Sequence, residues 1–357
     1  MLTRRKFLTG LTLLPVADTF AKDLTETLFQ DDPKDFSKRL KPLGRALELP
    51  DWYVWGSSPI YGPDKKVHLF YTRWPANKQM GGLDNGAEIA HAVAASPEAP
   101  FEHVETVLAP RGSEHWDGMT CNNPHIQFLD GKYYLFYTGN ADGQTSTQRI
   151  GLATAKSLEG PWKRSDNPLL EPGPSGSWDD HCTTNPAFVQ HPNGEYWLYY
   201  ESWKTDPSGA NAIIRKYGLS IADFPTGPYQ KFGKKPVIDF ATRTHKAQID
   251  DAFIWLQSGR FNLLARDMGL FNQNGGVFLD SHDGINWFDP QIAYATVNKY
   301  VNEPAATGQI QSGRLERPQL LLRKGKPAYL FTATQGGKYG TSSTFVFRVE
   351  LPKHLKQ

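Results

Sequence analysis

The sequence predicts an all-β fold, a five-bladed β-propeller with about 65 residues per blade and four antiparallel strands in each. Two observations carry this prediction. A phrase of two polar residues, a Pro or Ala and an apolar residue recurs five times, and each copy precedes a turn and an aromatic-rich strand. Repetition at a fixed period indicates a repeat architecture, and four-stranded units repeated radially form a propeller.

The copies of this marker phrase are evenly spaced. Counted at the Pro or Ala, they fall at Pro59, Pro124, Pro186, Ala252 and Pro318, in steps of 65, 62, 66 and 66 residues. The period exceeds the roughly 40–45 residues of common propeller blades, so we expect long loops between the strands. A β-sandwich with accidental periodicity is the alternative.

Each marker phrase is followed by the elements of a blade in the same order. Turns with Gly, Asn or Asp, which are typical of hairpins, come first at 62–64, 130–132, 192–194, 258–260 and 324–326. Strands rich in aromatic and β-branched residues, which suit a packed pleated surface, follow at 67–71, 133–137, 196–200, 261–265 and 328–332.

Further strands complete the units. A third strand is predicted in every unit, at 89–94, 150–155, 217–221, 276–281 and 345–349. A fourth is indicated at 104–108, 169–170 and 237–238, and less clearly in the last two units. Residues 41–47 are expected to supply the strand that closes the ring.

The N-terminus has the features of an export signal. The residues Thr3 to Leu8 resemble the twin-arginine motif, an apolar stretch covers 11–16, and Ala21 suits cleavage before Lys22. We therefore expect a signal peptide over residues 1–21, a periplasmic or secreted location, and a single propeller domain over 22–357, with 22–47 wrapping or closing the ring. A short cytosolic tail with two arginines is the alternative.

Composition limits the classes of partner. The net charge is +2, and removal of residues 1–21 brings it to 0, which does not suggest nucleic acid or an anionic membrane as partner. No run of 18 apolar residues occurs, so we expect no membrane insertion. A disulfide between Cys121 and Cys182 is permitted after export, but two buried free thiols fit equally. No metalloprotease, nucleotide-binding or serine-esterase motif occurs.

Several phrases resemble the five-bladed propeller glycosidases of glycoside hydrolase family 43 and the related families 32, 68 and 117. They are the marker phrase with its Gly turn, the segment Ser157–Trp162 with its echo at Phe224–Tyr229, and the turn Ser281–Trp287. The resemblance covers nearly all of the mature chain. These are scaffold motifs, so they imply a fold directly and carbohydrate chemistry only by association.

The chain departs from the resemblance at the catalytic positions. Family 43 enzymes carry an Asp before the Pro in the first two blades and a Glu two residues before it in the third. This chain has Ser58, Asn123 and Thr184 at those places. Acidic residues stand instead in the last two units, as Asp250, Asp251 and Glu316.

Two interpretations of these acids stay open. A glycosidase needs two carboxyl groups beside the bond that it breaks, and Asp251 would be the base and Glu316 the acid. Asp250 would raise the pKa of its neighbours by like-charge repulsion, and Arg317 would bind an anionic or hydroxyl-rich substrate. Alternatively, catalysis is lost, and the acids accept backbone hydrogen bonds between blades. In a propeller, the polar pairs of the five marker phrases would line a funnel on the central axis. Because strand residues alternate faces, at most one of Asp250 and Asp251 should point into this funnel.

His181 is a further candidate for the general acid. It follows two acidic residues at the expected rim, a neighbouring carboxylate supports proton transfer by His, and the resemblance to family 117 implies such a role. A rim His bound to a backbone carbonyl is the alternative.

The remaining candidates would hold sugar hydroxyls, stack on a sugar ring or bind an anionic group. The predicted substrate-binding residues are Ser58, Trp55, Arg73, Trp116, Asp117, Asn123, Asp180, Asn185, Glu201 and Arg317. Trp203 is a further platform for stacking and Arg266 a further cation. Packing between blades and salt bridges to rim acids are the alternatives for these aromatic and basic residues.

The sequence thus predicts an exported glycoside hydrolase, exo-acting, that removes a terminal sugar from plant or algal polysaccharide fragments in the central funnel. A non-catalytic carbohydrate-binding propeller is the second hypothesis, and a lyase acting on uronic or anhydro sugars is the third. No cofactor and no metal is predicted, although the resemblance allows a central calcium ion. The expected partner is an oligosaccharide or polysaccharide, and no oligomeric state is predicted.

Overall fold

The computed structural model describes residues 33–206, 208, 213–241, 247–271, 275–302 and 313–350. These residues form β-strands and four short 3₁₀ segments, at Pro33–Arg39, Ala76–Leu83, Thr145–Thr147 and Val297–Lys299. The all-β prediction is confirmed. The predicted signal peptide lies outside the described residues. Within them, no helix is long and apolar enough to cross a membrane.

The strands are numbered along the chain. They are β1 (Leu40–Leu47), β2 (Trp52–Tyr61), β3 (Val67–Pro75), β4 (Glu88–Ala94), β5 (Glu102–Leu108), β6 (Thr120–Leu129), β7 (Lys132–Asn140), β8 (Arg149–Ala155), β9 (Lys163–Arg164), β10 (Thr184–Gln190), β11 (Tyr196–Ser202), β12 (Lys216–Ala222), β13 (Gln230–Lys231), β14 (Gln248–Gln257), β15 (Arg260–Met268), β16 (Gly276–Ser281), β17 (Phe288–Tyr294), β18 (Glu316–Arg323), β19 (Lys326–Gln335) and β20 (Ser342–Val349).

Hydrogen bonds join the described strands into three sheets of four strands and one of eight. The four-stranded sheets are β6–β9, β10–β13 and β14–β17. In the larger sheet β1 pairs antiparallel with β20, and β20 meets β2 in one parallel pair, Tyr53 with Ser342. The Ser342 hydroxyl supports this junction, because it accepts from the Val54 N–H at 3.1 Å and donates to the Val54 carbonyl at 2.9 Å. The large sheet therefore links the beginning and the end of the described fold.

The first strand of each unit faces its neighbours in a cycle. β2 contacts β6, β6 contacts β10, β10 contacts β14, β14 contacts β18, and β18 contacts β2 again. We call these five the inner strands. A ring of inner strands is typical of a β-propeller, and it brings the marker phrases together.

Each inner strand carries a β-bulge, which lies within the marker phrase in β6, β10, β14 and β18. The residues Asn123, Asn185, Asp251 and Arg317 have φ angles of 53°, 51°, 61° and 54°, in the left-handed region that Asn and Asp adopt more readily than most residues. In β2 the equivalent residue is Gly56, with φ 44°, where the register shifts between Trp55 and Ser57. The sequence comparison that matched Pro59 with Pro124 was therefore wrong by two residues. Gly56, and not Ser58, corresponds to Asn123.

The outermost strands of two units differ from the prediction. In the second and third units the fourth strands are β9 and β13, which have only two residues each. The predicted positions form isolated bridges instead, Leu170 with Ile150 and Ile238 with Tyr217. The outer edges of these sheets are thus short, which limits unpaired backbone groups.

The core lies between neighbouring sheets. A cluster between the sheets of β10–β13 and β14–β17 contains Tyr199, Leu219, Leu263 and Leu279, all with at most 1% exposure. Burial of each aliphatic side chain contributes on the order of 1.5–3 kcal/mol. This packing holds the inner strands in fixed positions.

Both cysteines are buried and free, so Cys121 and Cys182 form no disulfide. Burial raises the pKa of the Cys121 thiol to about 12. The thiolate form is therefore suppressed, and both residues act as small apolar groups in the core.

Candidate active site

A polar cavity of about 200 Å³ lies at the β-bulges of the inner strands. We call it the central cavity. Its charged and amide residues are Asp84, Glu201, Asp250, Asp251, Glu316, Arg215, Arg266, Arg317, Asn122, Asn123, Gln148 and Asn185. Acids, bases and amides thus converge in a space smaller than the roughly 300–1,000 Å³ of drug-sized ligand sites.

Successive residues of one strand reach this cavity together. Asp250 and Asp251 both line it, as do Glu316 and Arg317. The expectation that only one of two consecutive acids would point inward was wrong, because a β-bulge breaks the alternation of side chains and redirects one of them.

Asp251 and Arg317 form a buried ion pair between neighbouring bulges. Arg317 Nη1 lies 2.5 Å from Asp251 Oδ1, and the Arg317 backbone N–H donates to Oδ2 at 3.0 Å. Burial raises the pKa of Asp251, and Arg317 opposes this shift. Both carboxylate oxygens therefore join β14 to β18. The sequence predicted Asp251 as the catalytic base and Arg317 as a substrate-binding residue. In the structure these two side chains bind each other instead.

Glu201 and Asp250 form a hydrogen-bonded carboxyl pair. The Tyr217 hydroxyl donates to Glu201 Oε2 at 2.8 Å, and Arg215 Nε lies 3.0 Å from Oε1. Burial raises the pKa of Glu201 well above its usual range, and the Asp250 charge adds to this shift. Burial acts in the same direction on Asp250, but Arg215 and the Glu201 hydrogen bond outweigh it and lower that pKa. These shifts favour the protonated form of Glu201 and the ionised form of Asp250.

Glu316 stands on the other side of Arg266. Its Oε2 lies 2.9 Å from Arg266 Nη1, and its Oε1 is buried without a hydrogen-bond partner in the described part of the chain. Burial raises the pKa of Glu316 to about 7, and the Arg266 charge opposes the shift. A carboxyl group with this pKa exchanges its proton near neutral pH.

An amide chain holds the acids in place. Asn185 Nδ2 lies 2.9 Å from Glu201 Oε2 and 3.2 Å from Asp250 Oδ1. It also lies 3.4 Å from Asp251 Oδ1. The other end of this amide, Asn185 Oδ1, accepts from Asn123 Nδ2 at 2.9 Å. The amides of the second and third units thus orient carboxyl groups of the third and fourth.

Apolar side chains form the remaining wall. Trp55, Met80, Leu83 and Trp203 line the cavity. Met80 and Leu83 come from the segment Ala76–Leu83, which is anchored because Trp74 Nε1 donates to the Gln79 carbonyl at 2.6 Å. The cavity thus combines apolar and aromatic side chains with several polar groups, as small-molecule sites usually do.

The structure places two predicted binding residues, Ser58 and Arg73, away from the cavity. Ser58 lies farther along β2, where its hydroxyl accepts from the Ile126 N–H at 3.0 Å. Arg73 binds Glu88 through Nε at 2.8 Å and stacks on Trp52, 4.2 Å from the ring centroid. Both side chains therefore join strands and do not line the central cavity.

Trp116 and Asp117 also have structural partners. Trp116 stacks on Tyr137 with centroids 5.6 Å apart, and Asp117 accepts from the Tyr137 hydroxyl at 2.8 Å. Asp117 also forms two ion pairs. Arg111 Nε lies 2.6 Å from its Oδ1, and Arg164 Nη1 lies 3.2 Å from its Oδ2. Neither Trp116 nor Asp117 lines the cavity.

His181 lies beside the cavity, whereas Asp180 binds backbone groups and does not line it. Asp180 accepts from the backbone N–H groups of Gly176 and Thr205 at 2.7 and 2.6 Å. His181 Nε2 is 2.9 Å from the hydroxyl of Thr145, which lines the cavity, and the His ring stacks on Trp203. Burial lowers the pKa of His181, and Asp180 opposes this. His181 therefore contacts the cavity wall from behind.

Several cavity residues were missed in the sequence. Asn122 and Thr184 are the first polar residues of their marker phrases and line the cavity, but they were not named as site residues. Asp84 and Gln148 lie in loops, and Arg215 comes just before β12, far from any marker phrase. Burial raises the pKa of Asp84, against the hydrogen bond from Gln148. No sequence signal marks Asp84, Gln148 or Arg215 as a neighbour of the cavity.

Among the described residues, no group of three or more His, Cys, Asp or Glu side chains is arranged to hold a metal ion. The positive charge deep in the cavity comes from Arg215, Arg266 and Arg317. Each of them contacts at least one carboxylate.

Comparisons with known proteins agree with this fold. The model of glycosyl hydrolases family 43 matches residues 100–214, and no curated protein matches the chain. Among solved structures, the chain is similar to Zg3597, a family 117 glycoside hydrolase of the marine bacterium Zobellia galactanivorans. The identity is 19%, the TM-score 0.64, and the match covers 89% of this chain and 91% of that one.

Two further solved structures are similar. One is BT0996 in a complex with RGII, with 13% identity, a TM-score of 0.65, and coverage of 93% of this chain and 96% of that one. The other is CoXyl43, a family 43 β-xylosidase/α-arabinofuranosidase from a compost microbial metagenome in complex with xylotriose. It has 16% identity, a TM-score of 0.57, and coverage of 88% and 95%. The chain therefore has a propeller fold like that of glycoside hydrolase family 43.

Proposed function

We propose that this chain is an exported, exo-acting glycoside hydrolase on a five-bladed propeller. Glu316 would be its proton donor and Asp250 its ionised carboxylate. The single observation that carries the proposal is the arrangement of these two groups around Arg266, one with a pKa of about 7 and the other with a lowered pKa. Glycoside hydrolysis needs two such carboxyl groups in opposite protonation states.

The proton donor is assigned to Glu316 because one of its oxygens is uncommitted. Oε2 is held by Arg266, which leaves the buried Oε1 without a partner in the described residues. A protonated Oε1 would donate to the glycosidic oxygen of the leaving group. A pKa near the working pH is the best compromise between holding a proton and giving it away.

The second carboxylate is assigned to Asp250 in place of Asp251. Asp251 has both oxygens engaged by Arg317, whereas Asp250 is ionised and its contacts with Arg215 and Arg266 are longer, at 3.5 and 3.7 Å. Asp250 would activate water or attack the anomeric carbon. Glu201, Arg215 and Arg266 keep it ionised.

The substrate is proposed to be one neutral terminal sugar of a plant or algal polysaccharide fragment. The central cavity of about 200 Å³ suits one ring better than several. Each cavity arginine already contacts a carboxylate, so a uronic acid would lack a free cation, which disfavours a lyase for such sugars. Similar solved structures are complexes with xylotriose and with RGII.

Export is proposed from the sequence of residues 1–21, where two arginines precede an apolar stretch. A periplasmic or extracellular location would bring the protein to polysaccharide fragments. Fractionation of cells that produce the full chain tests this. Protein found only in the cytoplasm, with residues 1–21 intact, would reject it.

A carbohydrate-binding propeller without catalysis is the second candidate. It is favoured by the bulge positions of the inner strands, because four of the five carry no acid, namely Gly56, Asn123, Asn185 and Arg317. Incubation of the purified protein with neutral oligosaccharides and aryl glycosides, with separation of the products, decides between the two. Release of one monosaccharide from chain ends supports the enzyme, whereas binding of a sugar without release supports the binding module.

A further inference from the structure

Three equivalent loops bring one charged or amide side chain each to the central cavity. They connect the second strand of a unit to the third in the first three units, and they contribute Asp84, Gln148 and Arg215. We propose that Asp84, oriented by Gln148, is a specificity-determining residue that accepts a hydrogen bond from one hydroxyl group of the terminal sugar. This inference rests on the proposed function and adds the residue by which the cavity would distinguish one neutral sugar from another.

Asp84 differs from the other acids of the cavity in its partners. The other four each form an ion pair with an arginine, namely Glu201, Asp250, Asp251 and Glu316. In the described part of the chain, Asp84 forms no ion pair, and its carboxyl group accepts a single hydrogen bond, from Gln148 Nε2 to Oδ1 at 2.9 Å. Burial raises the pKa of Asp84, so its ionised form needs further hydrogen-bond donors.

The second oxygen of this carboxyl group is open to a ligand. Asp84 Oδ2 has no hydrogen-bond partner among the described residues, and it does not belong to the unpaired polar atoms that are closed to solvent. The residue is half-buried and lines the central cavity. Oδ2 can therefore accept from a group that enters the cavity, and an ionised acceptor makes a stronger bond than a neutral one.

The position of Asp84 is fixed without the use of Oδ2. The Asp84 carbonyl accepts from Asn140 Nδ2 at 3.0 Å, and the carbonyl of the preceding residue, Leu83, accepts from Asn122 Nδ2 at 2.9 Å. The Gln148 amide orients the carboxyl group itself. A substitution that alters only Oδ2 thus leaves the anchors of the loop in place.

The surroundings of Asp84 fit the recognition of a hydroxyl group. Leu83 and Met80 of the same segment line the cavity as well, and a few placed polar groups among apolar ones give a small-molecule site its specificity. The hydrogen-bond donors of a neutral pentose or hexose are its hydroxyl groups. A site that pairs a hydroxyl rejects an analogue without it, because the protein group is then left unpaired. Asp84 would therefore select sugars by one hydroxyl position.

The first test replaces the acceptor. Asp84→Asn keeps the shape of the side chain and puts an amide in place of the carboxylate. The control is Asp166→Asn, which removes an exposed carboxylate that does not line the cavity. We expect kcat/KM for the best of a panel of 4-nitrophenyl glycosides of neutral pentoses and hexoses to fall at least about tenfold in Asp84→Asn, and to stay within about twofold in the control. Equal kcat/KM of Asp84→Asn and the wild type would overturn the inference.

The second test separates recognition from a structural role. Monodeoxy versions of the cleaved glycoside are compared in the wild type and in Asp84→Asn. At one position, removal of the hydroxyl should lower kcat/KM about tenfold or more in the wild type and much less in the variant, because the variant has already lost the partner of that hydroxyl. If every deoxy position lowers kcat/KM of both proteins by the same factor, Asp84 binds no hydroxyl and the inference is wrong.

Calorimetric titration with free neutral pentoses and hexoses separates this inference from the proposed hydrolysis. Binding of one sugar at least about tenfold more tightly by the wild type than by Asp84→Asn, without cleavage of any glycoside, would keep the role of Asp84 and reject the hydrolase. Cleavage with equal kcat/KM in both proteins would do the reverse. No binding and no cleavage would reject both.

Should Asp84→Asn fail to fold, a crystal structure of the wild type with the monosaccharide that it binds decides. A sugar hydroxyl within hydrogen-bond distance of Asp84 Oδ2 supports the inference. A bound sugar whose hydroxyl groups all lie farther from Oδ2 overturns it.

Discussion

Asp250 and Glu316 contact the same nitrogen atom, Arg266 Nη1, at 3.7 and 2.9 Å. The two acids occupy equivalent positions, directly before the bulge residues of neighbouring inner strands. Their pKa values nevertheless differ, because burial raises that of Glu316, whose Oε1 has no partner among the described residues, whereas Arg215 and Glu201 lower that of Asp250. A repeated backbone position thus supplies two carboxyl groups with different chemical properties.

Replacement of Glu316 by Gln should abolish proton donation. We expect kcat to fall by about 10²–10⁴-fold, the usual contribution of general acid catalysis. Binding of the sugar should change little, because the amide keeps the shape and the Arg266 contact. Steady-state kinetics and calorimetric binding of the product check this. Unchanged kcat would remove Glu316 from the mechanism.

The pH dependence of kcat/KM should follow the two carboxyl groups. Glu316 has a raised pKa of about 7, so its protonated fraction falls as the pH rises through that value, and the rate should fall about tenfold per unit above it. The lowered pKa of Asp250 places the acidic limb below the ordinary range of Asp, about 3.9. A rate that stays constant up to pH 9 would contradict this assignment.

Disruption of the Asp251–Arg317 pair should destabilise the fold. Asp251→Asn leaves the buried Arg317 guanidinium without its anion, and loss of one partner of a buried pair costs about 3–5 kcal/mol. The control is Glu98→Gln, which breaks the exposed pair with Arg348 and should have little effect. Denaturant unfolding measures both. Equal stability of the two variants would show that the central pair does not hold the inner strands together.

Asp179 should contribute to stability and not to catalysis. It accepts from the Tyr200 hydroxyl at 2.8 Å and pairs with Lys231 at 2.5 Å, as Asp117 does with Tyr137 and Arg164 in the preceding unit. Asp179→Asn should cost about 1–3 kcal/mol at neutral pH, with kcat/KM within about twofold of wild type. A large loss of kcat/KM in a stably folded variant would contradict the structural role.

The same variant has a pH signature. Burial opposes ionisation of Asp179, but Lys231 and Tyr200 outweigh it and lower its pKa. Its ionised form therefore stabilises the fold above the pKa of the unfolded chain, and this contribution disappears as the pH falls through the lower folded value. The stability difference between wild type and Asp179→Asn should shrink below about pH 4. A difference that is constant with pH would reject the charge-based explanation.

Much of the fold follows from local patterns, whereas the site follows only in part. The marker phrases placed Asn123, Asn185, Asp250, Asp251, Glu316 and Arg317 at the central cavity because inner strands of a propeller meet there. Ser58 was misplaced, because the bulge of β2 lies at Gly56 and glycine carries no pattern of its own. Trp116 and Asp117 repeat at the same offset as Trp178 and Asp179 because they perform a repeated packing role, which periodicity alone does not distinguish from binding.

The sequence by itself determined the all-β architecture, the repeat and the identity of most polar residues on the inner strands, since these depend on turn chemistry and strand propensity along the chain. Only the tertiary structure decided how the charges pair. Arg215 reaches Glu201 and Asp250, Arg266 reaches Glu316, and Arg317 neutralises Asp251. These pairings fix which carboxyl group keeps its proton, because a pKa depends on burial and on charges that are near in space but distant in sequence.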